Sequence, residues 1–425
     1  MEAAKPNCAL IGLGGFGRQH FRTLRSLEKA GRIRLSAICD PNARGVPDVQ
    51  DELPSLNVRI YDDWEQMLSC EPDLTAVTIA APIPLHYRMA KACLDSGLFV
   101  YLEKPPVPLL EQLDELIAAD AHQRISVGFQ MIHSKWSRQI KNWIIDGVLG
   151  ELTEIRAGAC WPRSDGYYNR AKWAGRMVLD GEPVFDGPAT NGLAHLIHNI
   201  MFFAGGSFET FGSPIEVQGE LYRARPIESY DTACLRGSFE SGVQFSAALT
   251  HASEKMLDFE VHVIGSKGWA RVSQGGKMLE SHLGSARCTA DAEIEDAYCD
   301  FFDYIGGNKT RPATLLRDTR GYSLATNAAL LSSEGIHSIA LSHFSQVGDG
   351  GAYSIRDIHG LITDSLQTPQ LFSETQVPWA VKSHVVRTGC LARPEACSSL
   401  RKILGQKATC GSEWSDQIEA SLVPC

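Results

Sequence analysis

A glycine pattern near the start restricts the fold of this chain more than any other stretch. Cys8-Ala-Leu-Ile-Gly12-Leu13-Gly14-Gly15-Phe16-Gly17 joins a mostly apolar, strand-like run to G-x-G-x-x-G, and Arg18 to Leu27 then reads as a helix. Each glycine of the motif has its own physical reason. Gly12 permits the tight strand-to-helix turn, Gly14 lets a pyrophosphate approach the backbone, and Gly17 lets the helix pack closely on the strand. The helix N-terminus offers N–H groups and a partial positive charge to phosphates. A second apolar run, Ile33 to Cys39, ends in Asp40, 23 residues past Gly17. A carboxylate at that place accepts hydrogen bonds from the adenine-side ribose hydroxyls of a dinucleotide.

Strand-like and helix-like patterns go on alternating to about residue 130. Val58–Tyr61, Leu74–Ala81, Leu98–Leu102 and Ile125–Phe129 read as strands, and Trp64–Leu68, His86–Ser96 and Leu109–His122 as helices. That rhythm predicts β-α-β units and a doubly wound parallel sheet of the Rossmann type. Ligands of such sheets sit at the carboxyl ends of the strands. Gly12–Gly17, Asp40, Ala80-Ala81-Pro82, Glu103-Lys104 and Gln130 all fall at those ends. Pro105 and Pro106 exclude helix directly after Lys104, so a stiff turn is expected to hold that amine at the cleft.

A second region starts near Gly150. Leu152 to Ala159 alternates as a strand does, and is followed by Trp161-Pro162-Arg163 and by Tyr167-Tyr168-Asn-Arg170-Ala-Lys-Trp173-Ala-Gly-Arg176. Aromatic rings that pack on the apolar faces of a sugar, with guanidinium groups for its oxygens, suit a polyhydroxylated substrate. A surface loop with structural aromatics reads equally well from these residues. Asp186-Gly187-Pro188 precedes a helix predicted over Ala189–Phe202, on which Asn191, His195 and His198 share one face. His195 reads as a functional imidazole or as a packed one. A metal on His195 and His198 lacks a third ligand at a convincing spacing, so no metal is expected. Strand patterns separated by Ser241-Gly242 and by Gly265-Ser-Lys-Gly268 predict hairpins of an antiparallel sheet from Ile215 to Val272. One face of that sheet is expected to be covered by helices and the other to stand free for a second subunit, giving a homo-oligomer. Asp291–Ile305, Thr319–Ile336 and Tyr353–Leu366 read as helices of the same domain.

Composition narrows the class of partner. The chain has 425 residues with a formal net charge of −10, which argues against a nucleic-acid or anionic-membrane surface. No apolar run reaches the length of a membrane span. Met1 to Asn7 is polar and leads straight into the first strand, which leaves no room for a signal peptide. Twelve cysteines are scattered without a C-x-x-C pair, and Cys8, Cys39, Cys93 and Cys234 lie inside apolar runs. Reduced cysteines behave there as small hydrophobes, so a cytoplasmic setting is expected. Cys390, Cys397, Cys410 and Cys425 crowd a tail with no clear period.

The glycine motif, Asp40, Pro82 with His86 beyond it, Glu103-Lys104-Pro105 and Val127-Gly-Phe-Gln130 together resemble the glucose–fructose oxidoreductase / inositol dehydrogenase / rhizopine-catabolism family. The resemblance runs from residue 7 to about residue 340. It implies a dinucleotide-binding domain over 1–130 and a substrate and oligomerisation α+β domain over 131–380 with a large, mostly antiparallel open sheet. Residues 381–425 remain a tail. It also implies NAD(P)-dependent hydride transfer on a secondary alcohol of a sugar, sugar derivative or cyclitol. Leu13, Gly15, Phe16, Ala81, Pro82, His86, Glu103, Lys104 and Gln130 join the three glycines and Asp40 as cofactor-binding residues. Trp161, Arg163, Tyr168, Arg176, Asn191 and His198 face the substrate, and Lys104 and His195 handle its proton in either order. The family usually has an aspartate four residues before the histidine; Asn191 stands there in this chain. Asp40 favours NAD over NADP, because a carboxylate repels a 2′-phosphate. Two other readings stay open. One is a glycosidase that oxidises a sugar carbon transiently, eliminates a substituent and re-reduces. The other is a non-catalytic dinucleotide-binding sensor, which would have no need of Lys104.

Overall fold

The structure is a computed structural model describing residues 5–46, 53, 57–288, 293–347 and 352–405. The chain divides into two compact units. The first takes Met1–Val107, Gln112–His133 and Ala292–Thr319, and the second Pro108–Glu111, Ser134–Asp291 and Arg320–Cys425.

The first unit is built on six parallel strands: β1 (Asn7–Ile11), β2 (Arg34–Cys39), β3 (Arg59–Tyr61), β4 (Ala76–Ile79), β5 (Phe99–Leu102) and β6 (Ile125–Val127). Their order is β3-β2-β1-β4-β5-β6, so the chain leaves β1 toward one edge and returns at β4 toward the other. The crevice at such a switch point is where α/β sheets take their ligands. Helices α1 (Gly17–Lys29), α2 (Trp64–Cys70) and α3 (His86–Asp95) supply the crossovers from β1 to β2, β3 to β4 and β4 to β5. Ala9, Leu10, Val77, Ile79, Val100 and Leu102 are essentially fully buried, which is why these strands read as continuous apolar runs rather than alternating ones.

The helix Glu293–Ile305, expected in the second domain, belongs to the first unit. Tyr298 anchors it. Its ring stacks on Tyr101 at 4.3 Å, and its hydroxyl lies 2.8 Å from His20 Nδ1 and donates to Thr78 Oγ1 at 3.1 Å. Ala297, Phe301 and Phe302 join the core that α1 closes. Helical periodicity shows that this segment has an apolar face, but not which core that face enters.

The second unit carries a ten-stranded, mostly antiparallel sheet. In spatial order its main path is Gly284–Arg287, Met278–Ser281, Gly268–Ser273, Leu257–Gly265, Leu152–Cys160, Gln244–Thr250, Thr232–Phe239, Pro214–Arg223 and His337–Ser338. Only Leu152–Cys160 with Gln244–Thr250, and Pro214–Arg223 with His337–Ser338, pair in parallel along this path. The two predicted hairpins are present, joining Thr232–Phe239 to Gln244–Thr250 and Leu257–Gly265 to Gly268–Ser273. Ile155, Ala157, Val217, Leu221, Phe245 and Leu249 bury one face. The helices Ala194–Ala204 and Arg320–Ser333 cover it, the second so closely that a Cβ on Gly219 would lie 2.6 Å from the Ala329 Cβ.

The other face does not stand free over its central strands, which corrects the expectation of an open face for a second subunit. Cys160, Tyr222, Cys234 and Ala248 pack there against Phe344, Ile358, Ile362, Phe372 and Trp379 from later in the same chain. Trp379 meets Tyr222 edge-on at 5.0 Å. Further along this face, Arg271 pairs with Glu280 at 2.6 Å and His262 with Glu260 at 2.5 Å, a polar surface rather than an apolar docking patch.

Two helix predictions and the expectation for the tail need adjustment. The run Ala189–Phe202 is a wide turn over Pro188–Gly192 followed by a helix at Ala194–Ala204. In Tyr353–Leu366, Tyr353–Ile355 is a strand paired with Phe344–Val347, and only Ile358–Ser365 is helical. The tail is structured to residue 405: Val386–Arg387 pairs with Pro214–Arg223, and the helix Pro394–Leu404 buries Leu400 and Leu404. Cys410 and Cys425 lie outside the described residues. The ten described cysteines are unbonded, and burial pushes the Cys93 thiol up to about 12.

Lys141, on the helix Lys135–Ile145, is completely buried. Its Nζ donates to the Phe202 carbonyl and, at 2.6 Å, to the Gly205 carbonyl, at the C-terminal end of Ala194–Ala204. Its amine N–H groups there satisfy carbonyls left unpaired at the end of that helix. Burial lowers its pKa to about 7. An unfolded lysine holds its proton up to about pH 10.4. From about pH 7 to about pH 10 the unfolded chain therefore binds more protons at this site, and stability rises with pH by at most about 1.4 kcal/mol per unit. Urea unfolding from pH 7 to 9.5 should show that rise in the wild type and a flatter dependence in Lys141→Met. Identical slopes would contradict this account of the amine.

Candidate active site

At the end of β1 the chain turns with no room for side chains. Gly12 has φ +94°, and a Cβ on it would stand 2.5 Å from the Ala80 carbonyl oxygen. A Cβ on Gly17 would collide with the Gly12 carbonyl. Gly14 differs, because nothing lies within 4 Å of its Cβ position. Gly14 and Gly15 are exposed, and Phe16 is 48% exposed. This is the cradle that a pyrophosphate requires: backbone close-packed beneath and open space above, at the start of α1.

Asp40 is fixed beside it. Its Oδ2 accepts from Leu13 N at 2.7 Å and its Oδ1 from Asn42 N at 2.8 Å. A carboxylate has about four acceptor positions, so two backbone donors orient it and leave capacity for ribose hydroxyls. The Leu13 side chain is fully buried, so its part in the cradle is played by its backbone.

Lys104 is tied to this turn through a short chain of contacts. Gly12 lies against Ala80. The Ala81 carbonyl is 2.9 Å from His86 Nε2, and His86 Nδ1 is 2.9 Å from the carbonyl of Pro105, which follows Lys104 in a cis peptide. His86 is 1% exposed, and burial lowers its pKa. It therefore does not touch a cofactor, as the sequence suggested, but clamps the segment after β4 to the turn after β5. Glu103 is also buried, with Oε1 3.4 Å from His20 Nε2, and holds the end of β5 to α1. Lys104, Ala81 and Gln130 are half-buried and Pro82 is exposed.

In the second unit, Arg163 N donates to the His251 carbonyl at 3.0 Å and Trp161 N to the Thr250 carbonyl at 2.9 Å, which pins the aromatic loop to the end of Gln244–Thr250. Trp161 Nε1 donates to Asp258 at 3.2 Å. Tyr168 is buried, with its hydroxyl 3.1 Å from His251 Nδ1. Arg176 is committed to Glu228 at 2.6 Å. His195 is half-buried near the start of Ala194–Ala204. His198 does not share its setting. It is fully buried 5.2 Å from the Phe211 ring, and burial drives its pKa down to about 3. Its place is in the core, not against a substrate. Asn191 lies in the wide turn, off the helix, so the single helical face expected for all three residues does not form.

The absent aspartate at position 191 has a structural counterpart. Asn191 Nδ2 donates to Asp186 Oδ1 at 2.7 Å, and Asp186 Oδ2 accepts from Gly175 N at 2.6 Å. Asp186 is 2% exposed. Its position just before Gly187-Pro188 was visible in the sequence, but the wide turn that brings it back to Asn191 was not. Tyr167, from the aromatic loop, and His251 also stand beside this turn. His251 Nε2 lies 2.7 Å from the Cβ position of Gly192, and the Tyr167 hydroxyl 3.7 Å from it. Among the described residues no group of three His, Cys, Asp or Glu side chains is placed to hold a metal ion. No described helix is long and apolar enough to cross a membrane.

Residues 6–129 match the model of an oxidoreductase family with an NAD-binding Rossmann fold, GFO_IDH_MocA. Residues 137–271 match that family's C-terminal domain. The inositol 2-dehydrogenase/D-chiro-inositol 3-dehydrogenase of Halalkalibacterium halodurans is 26% identical over 150 residues, 35% of this chain and 42% of that protein. The inositol 2-dehydrogenase of Serratia proteamaculans is 26% identical over 148 residues. The chain thus matches less than half the length of these curated relatives. Among solved structures, the WlbA dehydrogenase of Chromobacterium violaceum, in complex with NADH and UDP-GlcNAcA, superimposes with a TM-score of 0.66 at 22% identity. The match covers 78% of this chain and 95% of that one. The myo-inositol 2-dehydrogenase of Lactobacillus plantarum gives 0.61 at 21% identity, over 78% and 97%. These structural likenesses establish the shared fold.

The two glycines make separable predictions. Gly14→Val places its side chain in open space and should leave the urea midpoint nearly unchanged, within about 0.5 kcal/mol. It should weaken NADH binding at least about tenfold, because the branched side chain takes the space of the pyrophosphate. Gly12→Val should destabilise the fold itself by about 2 kcal/mol or more, from positive φ and the Ala80 clash. Unfolding curves and NADH fluorescence titrations on both variants decide this. Unchanged NADH affinity in Gly14→Val would displace the cofactor from the cradle.

Proposed function

Because the chain belongs to the Gfo/Idh/MocA family of NAD-binding oxidoreductases, we propose that it transfers a hydride between NAD and a secondary alcohol of a sugar, sugar derivative or cyclitol. The observation that carries this reading is the linkage of Lys104, through Pro105, His86 and Ala81, to the glycine cradle at the carboxyl edge of one sheet. Relatives named as inositol dehydrogenases, and a neighbour solved with NADH and a nucleotide sugar acid, support the substrate class.

Gly12–Gly17 would hold the pyrophosphate and Asp40 the adenine-side ribose. When bound, NAD supplies the hydride acceptor. The protein's part is position and proton handling. A secondary alcohol gives up its hydride only as its hydroxyl proton leaves, so one side chain must take that proton and another must steady the oxygen. His195 is the base and Lys104 the donor that polarises the oxygen. Asn191, oriented by Asp186, presents its amide oxygen to a substrate hydroxyl. Asp40 selects NAD, since it would repel a 2′-phosphate.

NAD reduction measured against a panel of sugars, sugar acids, glycosides and inositols, with product analysis, identifies the substrate. On that substrate, His195→Ala and Lys104→Met should each lower kcat by about 10²- to 10⁴-fold, with the NADH Kd of His195→Ala unchanged. Turnover within threefold of wild type in either variant would remove that residue from the mechanism.

A further inference from the structure

Resting on that reading, we propose that Arg163 and Arg170 bind an anionic group of the substrate, so that this enzyme acts on an acidic sugar, bearing a carboxylate or a phosphate ester, rather than on a neutral polyol. The arginines around the aromatic loop fall into two kinds. Arg176 is paired with Glu228 at 2.6 Å, and Arg225 lies 3.3 Å from Asp231 and 3.5 Å from Asp165. Those charges are answered within the protein. Arg163 and Arg170 have no carboxylate partner among the described residues.

Both guanidinium groups are nevertheless held in place. Arg163 lies 4.6 Å from the centroid of the Tyr167 ring and 5.3 Å from that of Trp161. Arg170 lies 3.7 Å from the Tyr167 ring and 4.9 Å from Trp173, and it donates to the Tyr167 carbonyl. Contact with aromatic faces fixes a guanidinium while leaving edge N–H groups for a planar or tetrahedral anion. Arg163 Nε is buried with no hydrogen-bond partner. Bidentate pairing with a carboxylate or phosphate uses such edges, and preorganisation lowers the entropic cost of binding.

The placement suits a substrate. Through Tyr167 the pair is joined to the wide turn that leads into His195: the Tyr167 hydroxyl lies 3.7 Å from the Cβ position of Gly192. Trp161 offers a ring face for the apolar side of a sugar. The neighbouring His251 carries no charge to compete with the arginines, since burial and the charges of Arg163, Arg225 and Arg170 hold its pKa well below the usual histidine range. In a chain of net charge −10, two uncompensated cations beside one ring form a local exception to the overall field.

The test uses the full chain saturated with NADH, at constant ionic strength, with D-glucose, D-glucuronate and D-glucose 6-phosphate as probes in calorimetric titrations. The wild type should bind glucuronate or the phosphate ester at least about tenfold more tightly than glucose, and which of the two prevails identifies the anion. Arg163→Gln/Arg170→Gln should reduce that preference to within threefold with an unchanged NADH Kd. Exposed Arg170→Gln alone, least able to disturb folding, should lose part of it. A wild type without anion preference, or without saturable binding of any probe, overturns the proposal, as does a double variant that keeps the preference. A double variant with weakened NADH binding also overturns it and assigns the pair to the cofactor. Failure of the wild type to bind NADH would instead sink the dehydrogenase reading. Anion preference would then still be measured on the free protein.

Discussion

The first unit depends on two backbones approaching closely enough to exclude a methyl group. Gly12 rests on the Ala80 carbonyl and Gly17 on Gly12 itself, so α1 begins directly at the carboxyl edge of the sheet. Anion binding there needs no charged side chain, because the helix start provides oriented N–H groups. The same closeness fixes β1 against the segment after β4. From there His86 reaches the turn that carries Lys104. His20, between the Tyr298 hydroxyl and the Glu103 carboxylate, braces the same edge from within.

The second unit uses buried polar groups for a parallel purpose. Asp186 directs Asn191 at one end of the helix that bears His195, and Lys141 closes the carbonyls at its other end. Unpaired groups of this kind would be costly in the interior, whereas satisfied ones fix a single arrangement. The sheet behind the helix is covered on its far side by Phe344, Ile358, Ile362, Phe372 and Trp379. Burial of that face is thus supplied by the chain's own later segment.

The parallel sheet was legible in the sequence because its strands are short apolar runs with glycine, proline or charge at their ends. The residues proposed for the cofactor, His86 apart, were picked out by their placement at those ends. What escaped was long-range. Tyr298 shows a helical apolar face that enters the first core, and periodicity carries no address. His86 and His198 looked available as isolated imidazoles, yet each is enclosed by its surroundings. The wide turn at Pro188–Gly192 broke the helical spacing assumed for Asn191, and with it the link to Asp186. In Arg163 and Arg176 the same residue type meets opposite fates, and only Glu228, 52 positions along the chain, decides between them.

The central claim is that a dinucleotide lies over the glycine turn with its adenine-side ribose on Asp40. Parallel fluorescence titrations of the full chain with NADH and NADPH test it most directly. The account predicts saturable NADH binding with a Kd below about 1 mM and NADPH at least about tenfold weaker. Absence of saturable binding, or equal affinity for the two, would contradict it.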